Sequence, residues 1–420
     1  MQRYEAYKDS GVEWIGEIPA GWEVVNLSAL ATQRKRKNIG SIEGNVLSLS
    51  YGRIKRRIID NSGLLPESFE TYNVIEPGDI VLRLTDLQND QVSLRVGRSC
   101  ERGIITSAYC TLNPNNVDSR YLFDILACFD YQKGFYGLAG GVRQGLTFDG
   151  IKGLKFPLPL IREQRAIADY LDEKTAEIDS IVSQTERSIE LLREYRKSVI
   201  SEAVTKGLDP DVPMRDSGVE WIGEIPEGWE RDKVSRLFDS IGSGTTPKSD
   251  NLGYYDGDIP WIQSGDLGSG PLRSTQKTIT RFAIESLSSL SVFKAPFLVI
   301  AMYGASIGSM ALSTIDACTN QACCVLAECK GSLSFFEYVL SAAKQHLIDQ
   351  GIGGTQPNIS QQLIKALWLP VPPLPEQQAI VDYLDTKTAE IDSLIADKQR
   401  QVELLKEYRK SLISEAVTGK

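Results

Sequence analysis

The residues that most often carry chemistry are scarce in this chain. A single histidine, His346, and seven cysteines without C-x-x-C spacing occur among 420 residues. Because a structural zinc site needs a cluster of Cys and His ligands, we expect none here. The cysteines are predicted to be free thiols, mostly buried, in a reducing cytoplasm. They are Cys100, Cys110, Cys128, Cys318, Cys323, Cys324 and Cys329.

Long apolar segments are missing as well. The sequence has no run of about eighteen apolar residues and does not open on a signal peptide. We therefore expect a soluble, cytoplasmic protein. Apolar residues still make up 42% of the 420 residues, which is enough to build two or more domain cores.

Catalytic motifs are also absent. The segment GSGTTPKS at 242–249 approaches a phosphate-binding loop, but Pro247 replaces the second glycine and removes an N–H. No G-x-G-x-x-G follows a predicted strand, and the Asn/Asp-Pro-Pro-aromatic tetrapeptide of amino-methyltransferases does not occur. The acidic residues Asp169, Asp172 and Glu173, beside Lys174 on a predicted helix, are more typical of a solvated face with salt bridges than of a catalytic site. We predict no catalytic residue, no metal site and no cofactor bound by this chain.

The chain does contain a long internal repeat. Residues 163–205 and 376–418, which lie 213 positions apart, are identical at 30 of 43 aligned positions. Neither copy contains Gly or Pro, and apolar residues recur every three to four positions, which predicts one long helix with a single apolar seam in each. The seam residues are Ile167, Leu171, Ile178, Val182, Ile189, Leu192, Val199 and Ala203, and in the second copy Ile380, Leu384, Ile391, Ile395, Val402, Leu405, Leu412 and Ala416.

A helix with one apolar seam needs a partner along its length. At 1.5 Å per residue, each copy would be a rod of roughly 60 Å. The other copy is the economical partner, which predicts two long antiparallel helices forming a coiled coil. The alternative is that each helix lies on the surface of its own domain.

A shorter repeat precedes each variable region. Residues 9–23 and 216–230 read DSGVEWIGEIPAGWE and DSGVEWIGEIPEGWE, and they differ only at Ala20 and Glu227. Two tryptophans in so short a segment indicate docking through buried aromatic area. The alternative is that these side chains stack on a sugar or a base. They are Trp14, Trp22, Trp221 and Trp229.

The two repeats divide the chain into a cyclic order. Segment 1–23, insert 24–158, central region 159–230, insert 231–371 and helix 372–420 follow one another. If the last helix ends near the N-terminus, a pseudo-two-fold axis relates the two halves. We predict an α+β protein in which two α/β insert domains are joined by two long antiparallel helices.

Charge separates the inserts from the repeats. The chain carries a net charge of −9, but insert 24–158 carries +4 and insert 231–371 is neutral. The acidity therefore belongs to the repeated parts. Because the local field decides the choice of partner more than the total charge does, a polyanion remains a suitable partner for the inserts.

Each insert shows the same order of predicted elements. In the first insert the strands are Val46–Tyr51, Ile80–Leu84 after a turn at 76–79, Ile104–Leu112 and Leu154–Leu158, and the helix is Arg120–Phe129. In the second insert the strands are Ile259–Gln263, Phe297–Tyr303, Ala322–Ala327 and Ala366–Val371, and the helix is Phe335–Gln350. A glycine loop follows each helix, at 137–145 and 351–360.

Polar and basic residues on the insert loops are suited to DNA. Arg and Lys contact phosphates and guanine, and Asn and Gln contact adenine. An ordinary solvated loop is the alternative for each one alone. The candidates in the first insert are Arg34, Lys35, Arg36, Lys37, Arg53, Lys55, Arg56, Arg57, Arg83, Thr85, Gln88, Asn89, Arg95, Arg143 and Gln144. In the second insert they are Thr245, Thr246, Lys248, Gln263, Tyr303, Ser306, Asn320, Gln321, Thr355, Gln356 and Asn358.

The whole chain resembles the DNA-specificity subunit of type I restriction-modification systems. The resemblance rests on the cyclic layout and on PLPLIREQRAIADYLD and PPLPEQQAIVDYLD, where each insert joins its long helix. It extends to GDIVLRLTDLQND and GIITSAY in the first insert and to IPWIQSGDL, GASIG, TNQACCVL and GTQPNIS in the second. The first glycine loop departs from the pattern, because residues 142–144 read VRQ where 355–357 read TQP.

The resemblance implies a subunit without catalysis of its own. Each insert would be a target recognition domain that reads one half of a bipartite, asymmetric site in double-stranded DNA, and the paired helices would set the gap. Two methylation subunits would dock on the repeats and flip an adenine in each half-site for N6 methylation. The restriction and translocation subunits would join through them, and S-adenosylmethionine, ATP and magnesium would be bound by these partners. No membrane partner is expected.

Two other functions fit parts of the sequence. The chain could be an adapter whose inserts bind protein, in which case binding of random duplex DNA would be absent or insensitive to salt. It could instead be a stand-alone nuclease or methylase, although it lacks the motifs of either.

Overall fold

The computed structural model describes residues 4–57, 68–87, 94–138, 145–268, 270–351 and 358–420. The chain forms two compact units. The first unit is Met1–Glu186 with Gln399–Lys420, and the second unit is Arg187–Lys398. Each unit contains one short repeat, one insert, the start of one long helix and the end of the other.

The first unit contains strands β1–β12 and helices α1–α3, and it shares α4 with the second unit. The strands are Tyr7–Asp9, Glu17–Pro19, Glu23–Asn26, Ala31–Gln33, Leu47–Ser50, Arg53–Arg56, Asn73–Ile75, Ile80–Leu82, Val96–Arg98, Gly103–Ile105, Cys110–Pro114 and Lys155–Leu158. The helices are Leu27–Leu30, Ser119–Tyr131, Phe148–Ile151 and Ile161–Lys206.

The second unit contains strands β13–β23 and helices α5–α9, and it shares α10 with the first unit. The strands are Met214–Asp216, Glu224–Pro226, Glu230–Lys233, Phe238–Gly242, Tyr255–Ile262, Thr278–Ile279, Phe297–Ala301, Met310–Ser313, Cys318–Thr319, Cys323–Cys329 and Trp368–Val371. The helices are Val234–Leu237, Arg281–Ser286, Leu333–Ala342, Lys344–Asp349, Gln361–Ala366 and Leu374–Thr418.

The two inserts share an antiparallel sheet that their sequences do not reveal. In the second unit the strand order is β16-β22-β19-β20, and in the first it is β4-β11-β8-β9, with antiparallel pairing throughout both sets. The first unit adds β6 and β5 at the β9 edge. The inserts are therefore two versions of one framework, and the first has the larger sheet.

The short repeats fold in the same way, and each buries the second of its two tryptophans while the first is half-buried. Hairpin β1–β2 pairs Tyr7 with Pro19, and hairpin β13–β14 pairs Met214 with Pro226, which is the same register 207 residues later. Trp22 and Trp229 are each only 2% exposed. The prediction that these segments dock through aromatic packing is confirmed.

Each short repeat packs on the end of a long helix in its own unit. In the first unit, Ile15, Ile18 and Trp22 share a core with the α10 segment from Leu412 to Val417. The Lys420 ammonium donates to the Ile15 carbonyl at 3.1 Å. The last helix therefore ends beside the N-terminal segment, which is the condition that the cyclic order of the repeats set. In the second unit the corresponding core joins Ile222, Ile225 and Trp229 to the end of α4.

The long helices pair within each unit. In the first unit the Arg409 guanidinium lies 3.1 Å from the Asp179 carboxylate. In the second unit Arg196 lies 2.9 Å from Asp392. These are the same pair of repeat positions, and lower numbers on α4 meet higher numbers on α10, so the pairing is antiparallel. The seam residues are buried or half-buried, which confirms the predicted seam and rules out isolated surface helices.

Two predicted elements are corrected. The single strand expected at Ile104–Leu112 is two strands, because a turn closed by Tyr109 N–H to the Thr106 carbonyl, at 3.2 Å, separates β10 from β11. The single helix expected at Phe335–Gln350 is interrupted at Ala343, where ψ is −6°. The described cysteines are free, and Cys100 is the exposed one. No helix in the described ranges is long and apolar enough to cross a membrane.

Candidate nucleic-acid interface

Five separate segments of the second insert meet beyond the strand ends of its two sheets, β16-β22-β19-β20 and β18-β17-β21. They follow β16, β17, β19 and β21, or precede α9, and backbone hydrogen bonds join them. Asn320 N–H donates to the Ile262 carbonyl at 2.9 Å, and Met302 N–H donates to the Ala322 carbonyl at 2.7 Å. The Met302 carbonyl in turn accepts from Ile359 N–H at 2.8 Å. We call this surface, formed by 243–248, 263–266, 302–306, 320–322 and 358–359, the polar edge.

The polar edge contains most of the second insert's predicted DNA contacts. The Thr246 hydroxyl donates to the Gln321 amide oxygen at 2.5 Å, and both side chains are exposed. The Asn320 amide oxygen instead accepts from Ala322 N–H at 3.0 Å and holds the turn. The predicted residues brought together here are Thr245, Thr246, Lys248, Gln263, Tyr303, Ser306, Asn320, Gln321 and Asn358. Residues dispersed over more than a hundred positions therefore form one surface.

A glycine lets the loops of the polar edge approach so closely. A Cβ on Gly244 would lie 1.8 Å from the Thr319 carbonyl oxygen, a distance no side chain tolerates. The Gly244 N–H donates to the Thr319 hydroxyl at 2.9 Å. Any substitution at this position would push the 243–248 loop away from the 320–322 turn, and Thr246 away from Gln321.

The matching edge of the first insert is more basic. Strand β4 ends at Gln33 and strand β8 at Leu82, so Lys35 and Arg83 follow the strands that correspond to β16 and β19. Lys35 is exposed and makes no ion pair with the residues that the structure describes. Thr85 is half-buried on the loop after β8.

Several first-insert cations are engaged within the unit. Arg34 pairs with the buried Asp79 carboxylate at 2.7 Å and donates to Asn113 at 2.7 Å. Arg36 pairs with Glu76 at 3.3 Å, and Lys37 donates to the Thr71 carbonyl at 2.8 Å. These contacts fix the 34–37 segment, so Lys35 is its one cation whose ammonium lacks a partner in the described part of the unit.

Arg95 is a correction. It was predicted to contact DNA, but it is 1% exposed. Its guanidinium donates to the backbone carbonyls of Arg83, Thr85 and Asp86 at 3.2, 2.6 and 2.8 Å. It also donates to the Tyr136 hydroxyl at 3.0 Å. Arg95 therefore braces the loop after β8 from inside.

Four more of the predicted DNA contacts, Arg53, Lys55, Arg56 and Arg57, lie on β6 or just after it. Arg53 pairs with Asp179 of α4 at 3.1 Å, and Arg56 pairs with Glu101 at 2.5 Å. Lys55 and Arg57 are exposed and make no ion pair within the described ranges. Strand β6 lies beyond β9 in the sheet, so these cations form a patch separate from Lys35 and Arg83.

Six predicted residues lie outside the described residues. They are Gln88, Asn89, Arg143, Gln144, Thr355 and Gln356. Both glycine loops are therefore described only in part, and the roles predicted for their central residues stay predictions.

The environment of the thiols does not favour chemistry. Burial raises the pKa of Cys110 and of Cys318 to about 11, and that of Cys323 and Cys324 to about 12. Thiols with such pKa values remain protonated at neutral pH and are poor nucleophiles. Within the described ranges, no group of three or more His, Cys, Asp and Glu residues could hold a metal ion.

Sequence reasoning missed the residues that attach each insert to its long helix. Arg120 of α2 lies 2.6 Å from Asp169 and 3.0 Å from Asp172 on α4. Salt bridges were expected for these carboxylates, but not with a residue of the insert. In the second unit the Tyr338 hydroxyl donates to Asp385 on α10 at 2.6 Å. Asp172 and Asp385 occupy the same position in the two helix repeats, and that identity was the available signal.

Comparison with known proteins agrees with this architecture. The family model described as the type I restriction modification DNA specificity domain matches residues 103–191 and 226–404. The type I restriction enzyme MjaVIII specificity subunit of Methanocaldococcus jannaschii is 24% identical over 420 residues, covering 96% of this chain and 93% of its own.

Two solved structures share the fold. A chain from a study of complex assembly and conformational transition of the type I R-M system superposes with a TM-score of 0.72 at 16% identity, covering 95% of this chain and 98% of its own. The HsdS subunit from Thermoanaerobacter tengcongensis gives a TM-score of 0.52 at 17% identity, covering 96% and 98%. The family match covers well over half of the chain and confirms the expected resemblance and the classification as a specificity subunit rather than an enzyme. The chain belongs to the family of type I restriction-modification DNA specificity proteins.

Proposed function

We propose that this chain reads a bipartite, asymmetric site in double-stranded DNA, one half with each insert. The observation that carries the proposal is the polar edge, where five loops present Thr, Gln, Asn and Tyr side chains together. These groups suit the donor and acceptor pattern of base edges in the major groove. The corresponding edge of the first insert offers Lys35 and Arg83 for phosphates and guanine.

The paired helices are proposed to set the gap between the two half-sites. Support comes from the equivalent ion pairs Arg409–Asp179 and Arg196–Asp392, which fix the same helix register in both units. A coiled coil with a specified register is a suitable spacer, because sliding would bury charges against the apolar seam. Readers of the major groove on one face of a duplex favour separations of about one helical turn, ~34 Å.

Two copies of a methylation subunit are proposed to dock on the repeats. Each unit exposes apolar side chains at the same three positions of the helix repeat, outside the seam. In the first unit Ile181, Leu404 and Tyr408 are 44, 56 and 56% exposed, and in the second Leu394, Leu191 and Tyr195 are 51, 49 and 51% exposed. A patch present twice suits a partner present twice.

The chemistry would belong to those partners. S-adenosylmethionine would be bound by the methylation subunits for adenine N6 transfer, and ATP and magnesium by restriction and translocation subunits that join through them. The role of this chain is to place the partners, which agrees with its lack of nucleotide-binding and methyltransferase motifs.

Sequencing of adenine methylation in cells that express the full operon tests the proposal. We expect methylation within a two-part motif. Replacing residues 231–371 with the insert of a relative should change one half of the motif and leave the other half intact. A change in both halves, or a motif without a gap, would contradict the proposal.

A further inference from the structure

Two glutamine side chains attach the inserts to the long helices in the same way. Gln164 is 2% exposed and Gln377 is 3% exposed, and they occupy the same position in the helix repeat. In the first unit the Gln164 amide oxygen accepts from Asp118 N–H at 2.9 Å, and its NH2 donates to the Pro159 carbonyl at 2.8 Å.

The second unit repeats this geometry. The Gln377 amide oxygen accepts from Ser332 N–H at 2.8 Å, and its NH2 donates to the Pro372 carbonyl at 2.8 Å. The agreement holds although the two inserts have different sequences. It therefore belongs to the shared framework and not to either recognition surface.

The backbone groups bound by these amides have defined positions. Asp118 and Ser332 are the N-caps of α2 and α7, the helices that pack under the insert sheets. The backbone N–H of an N-cap has no partner inside its own helix, so an outside acceptor has to satisfy it when it is buried. Pro159 and Pro372 lie between the last insert strand and the long helix. One amide therefore joins the insert helix, the insert exit and the start of the long helix.

Neither amide can turn over. A flip would place the NH2 group against an N–H donor and the oxygen against a carbonyl, so both hydrogen bonds would be lost. Asparagine is shorter by one methylene and cannot span the same two partners. Each side chain thus specifies one angle between insert and helix.

We infer that Gln164 and Gln377 are positioning residues for recognition, since each fixes the orientation of its insert on the helix pair and thereby sharpens the preference for one gap length. This inference rests on the proposed function. Arg120 and Tyr338 contribute contacts between insert and helix one to two turns further along. Those two contacts differ between the units, whereas the glutamine contacts are alike in both.

The test uses the full chain assembled with its methylation partners and duplexes that carry the motif found by methylation sequencing. Three duplexes have the native gap, one base pair more and one base pair less. Gln164→Met and Gln377→Met keep the side-chain length and remove both hydrogen bonds. We expect each variant to lose about tenfold in the affinity ratio between native and altered gaps, since each amide satisfies two buried polar groups.

Controls separate positioning from general stability. Gln378→Met changes the neighbouring, exposed glutamine of α10 and should leave the ratio unchanged. Affinity lost equally on all three duplexes, or a wild-type ratio in both Met variants, would overturn the inference. A wild-type complex that shows no sequence-specific binding would instead overturn the proposed function.

Discussion

The two units are built from one framework and differ where they would face DNA. Both have the same four-stranded antiparallel order, the same hairpin register and the same helix pairing. The first insert extends its sheet with β5 and β6 and carries +4, whereas the second is neutral and concentrates uncharged polar groups at the polar edge. A shared geometry would thus support the two proposed recognition surfaces, with different balances of phosphate and base contacts.

A second difference lies beneath the inserts. Asp124 lies six residues after the N-cap of α2, and Tyr338 lies six residues after the N-cap of α7. Asp124 lies near Asp172 of α4, and Tyr338 contacts Asp385, the equivalent carboxylate of α10. The second unit makes a hydrogen bond there, while the first buries a carboxyl group near a carboxylate. The framework therefore accepts a carboxyl group in one unit and a phenol in the other at the same position.

The largest effect is expected from a change to the shared helices. Inserting four residues after Ser183 lengthens α4 by about 6 Å and turns its seam by about 40°. Because α10 keeps its length, the two units cannot both keep their pairing, and we expect affinity for the native motif to fall at least about a hundredfold. Fluorescence anisotropy with the assembled complex measures this.

The repeat offers a matched rescue for that insertion. Ala396 of α10 corresponds to Ser183, so the same insertion after Ala396 should be equally harmful. Making both insertions restores the pairing in each unit and should shift the preferred gap by about two base pairs. An unchanged gap preference in the double insertion would show that the helices are not the spacer.

A medium effect, on the free energy of unfolding, is expected from a change at Asp124. Burial, with a smaller contribution from Asp172, raises the pKa of this carboxyl to about 8, against the opposing charges of Arg409, Arg98 and Arg120. The unfolded group ionises near pH 4. The folded state therefore holds a proton that the unfolded state has lost between about pH 4 and pH 8, and stability falls as pH rises through that window. Asp124→Asn should raise the free energy of unfolding by roughly 1–4 kcal/mol at pH 8 and by little at pH 4.

Tyr338→Phe is the matched control for Asp124→Asn. Burial, and then its hydrogen bond to Asp385, raises the pKa of Tyr338 to about 12, so the phenol stays protonated across the same window. Loss of this hydrogen bond should lower the free energy of unfolding by about 1 kcal/mol at every pH from 5 to 8. Denaturant unfolding of the full chain at several pH values checks both variants, and a stabilisation by Asp124→Asn that is independent of pH would contradict the assignment.

The smallest effect is expected from exposed cations. Lys35, Lys55 and Arg57 have no ion pairs in the described part of the first unit, so they are free to meet phosphates. Replacing all three with Ala should reduce the slope of log K against log salt by up to about 3, since each phosphate contact contributes about 0.9. Lys248→Ala in the second insert should reduce it by about 1 at most. Equal reductions of the salt slope in the triple variant and in Lys248→Ala would show that the inserts do not differ in phosphate contacts.

The repeated parts of the chain were predictable because physics constrains them strongly. The seam from Ile167 to Ala203 repeats at helical spacing, and the buried Trp22 and Trp229 follow from aromatic content in a short segment. The sheets were harder to predict. The segments of the polar edge are positioned by backbone hydrogen bonds such as Asn320 N–H to the Ile262 carbonyl, and backbone bonds leave no pattern in the side chains.

The residues of the candidate surface were also predictable only in part. Residue type was enough to select Thr246 and Gln321, which the fold brings into contact. It could not separate Lys35, which is exposed, from Arg95, which is buried and braces a loop, because both are cations on predicted loops. Charge alone does not report which way a side chain points.

The closure of the first unit by α10 has a consequence for synthesis of the chain. Its core needs Leu412–Val417 to cover Ile15, Ile18 and Trp22, nearly four hundred residues earlier in the sequence. The second unit is complete once Lys398 has left the ribosome. The unit that is translated first is therefore the last to finish folding. Until the final turns of α10 are made, the apolar side chains of Ile15, Ile18 and Trp22 stay exposed, and this surface is open to chaperones and to aggregation.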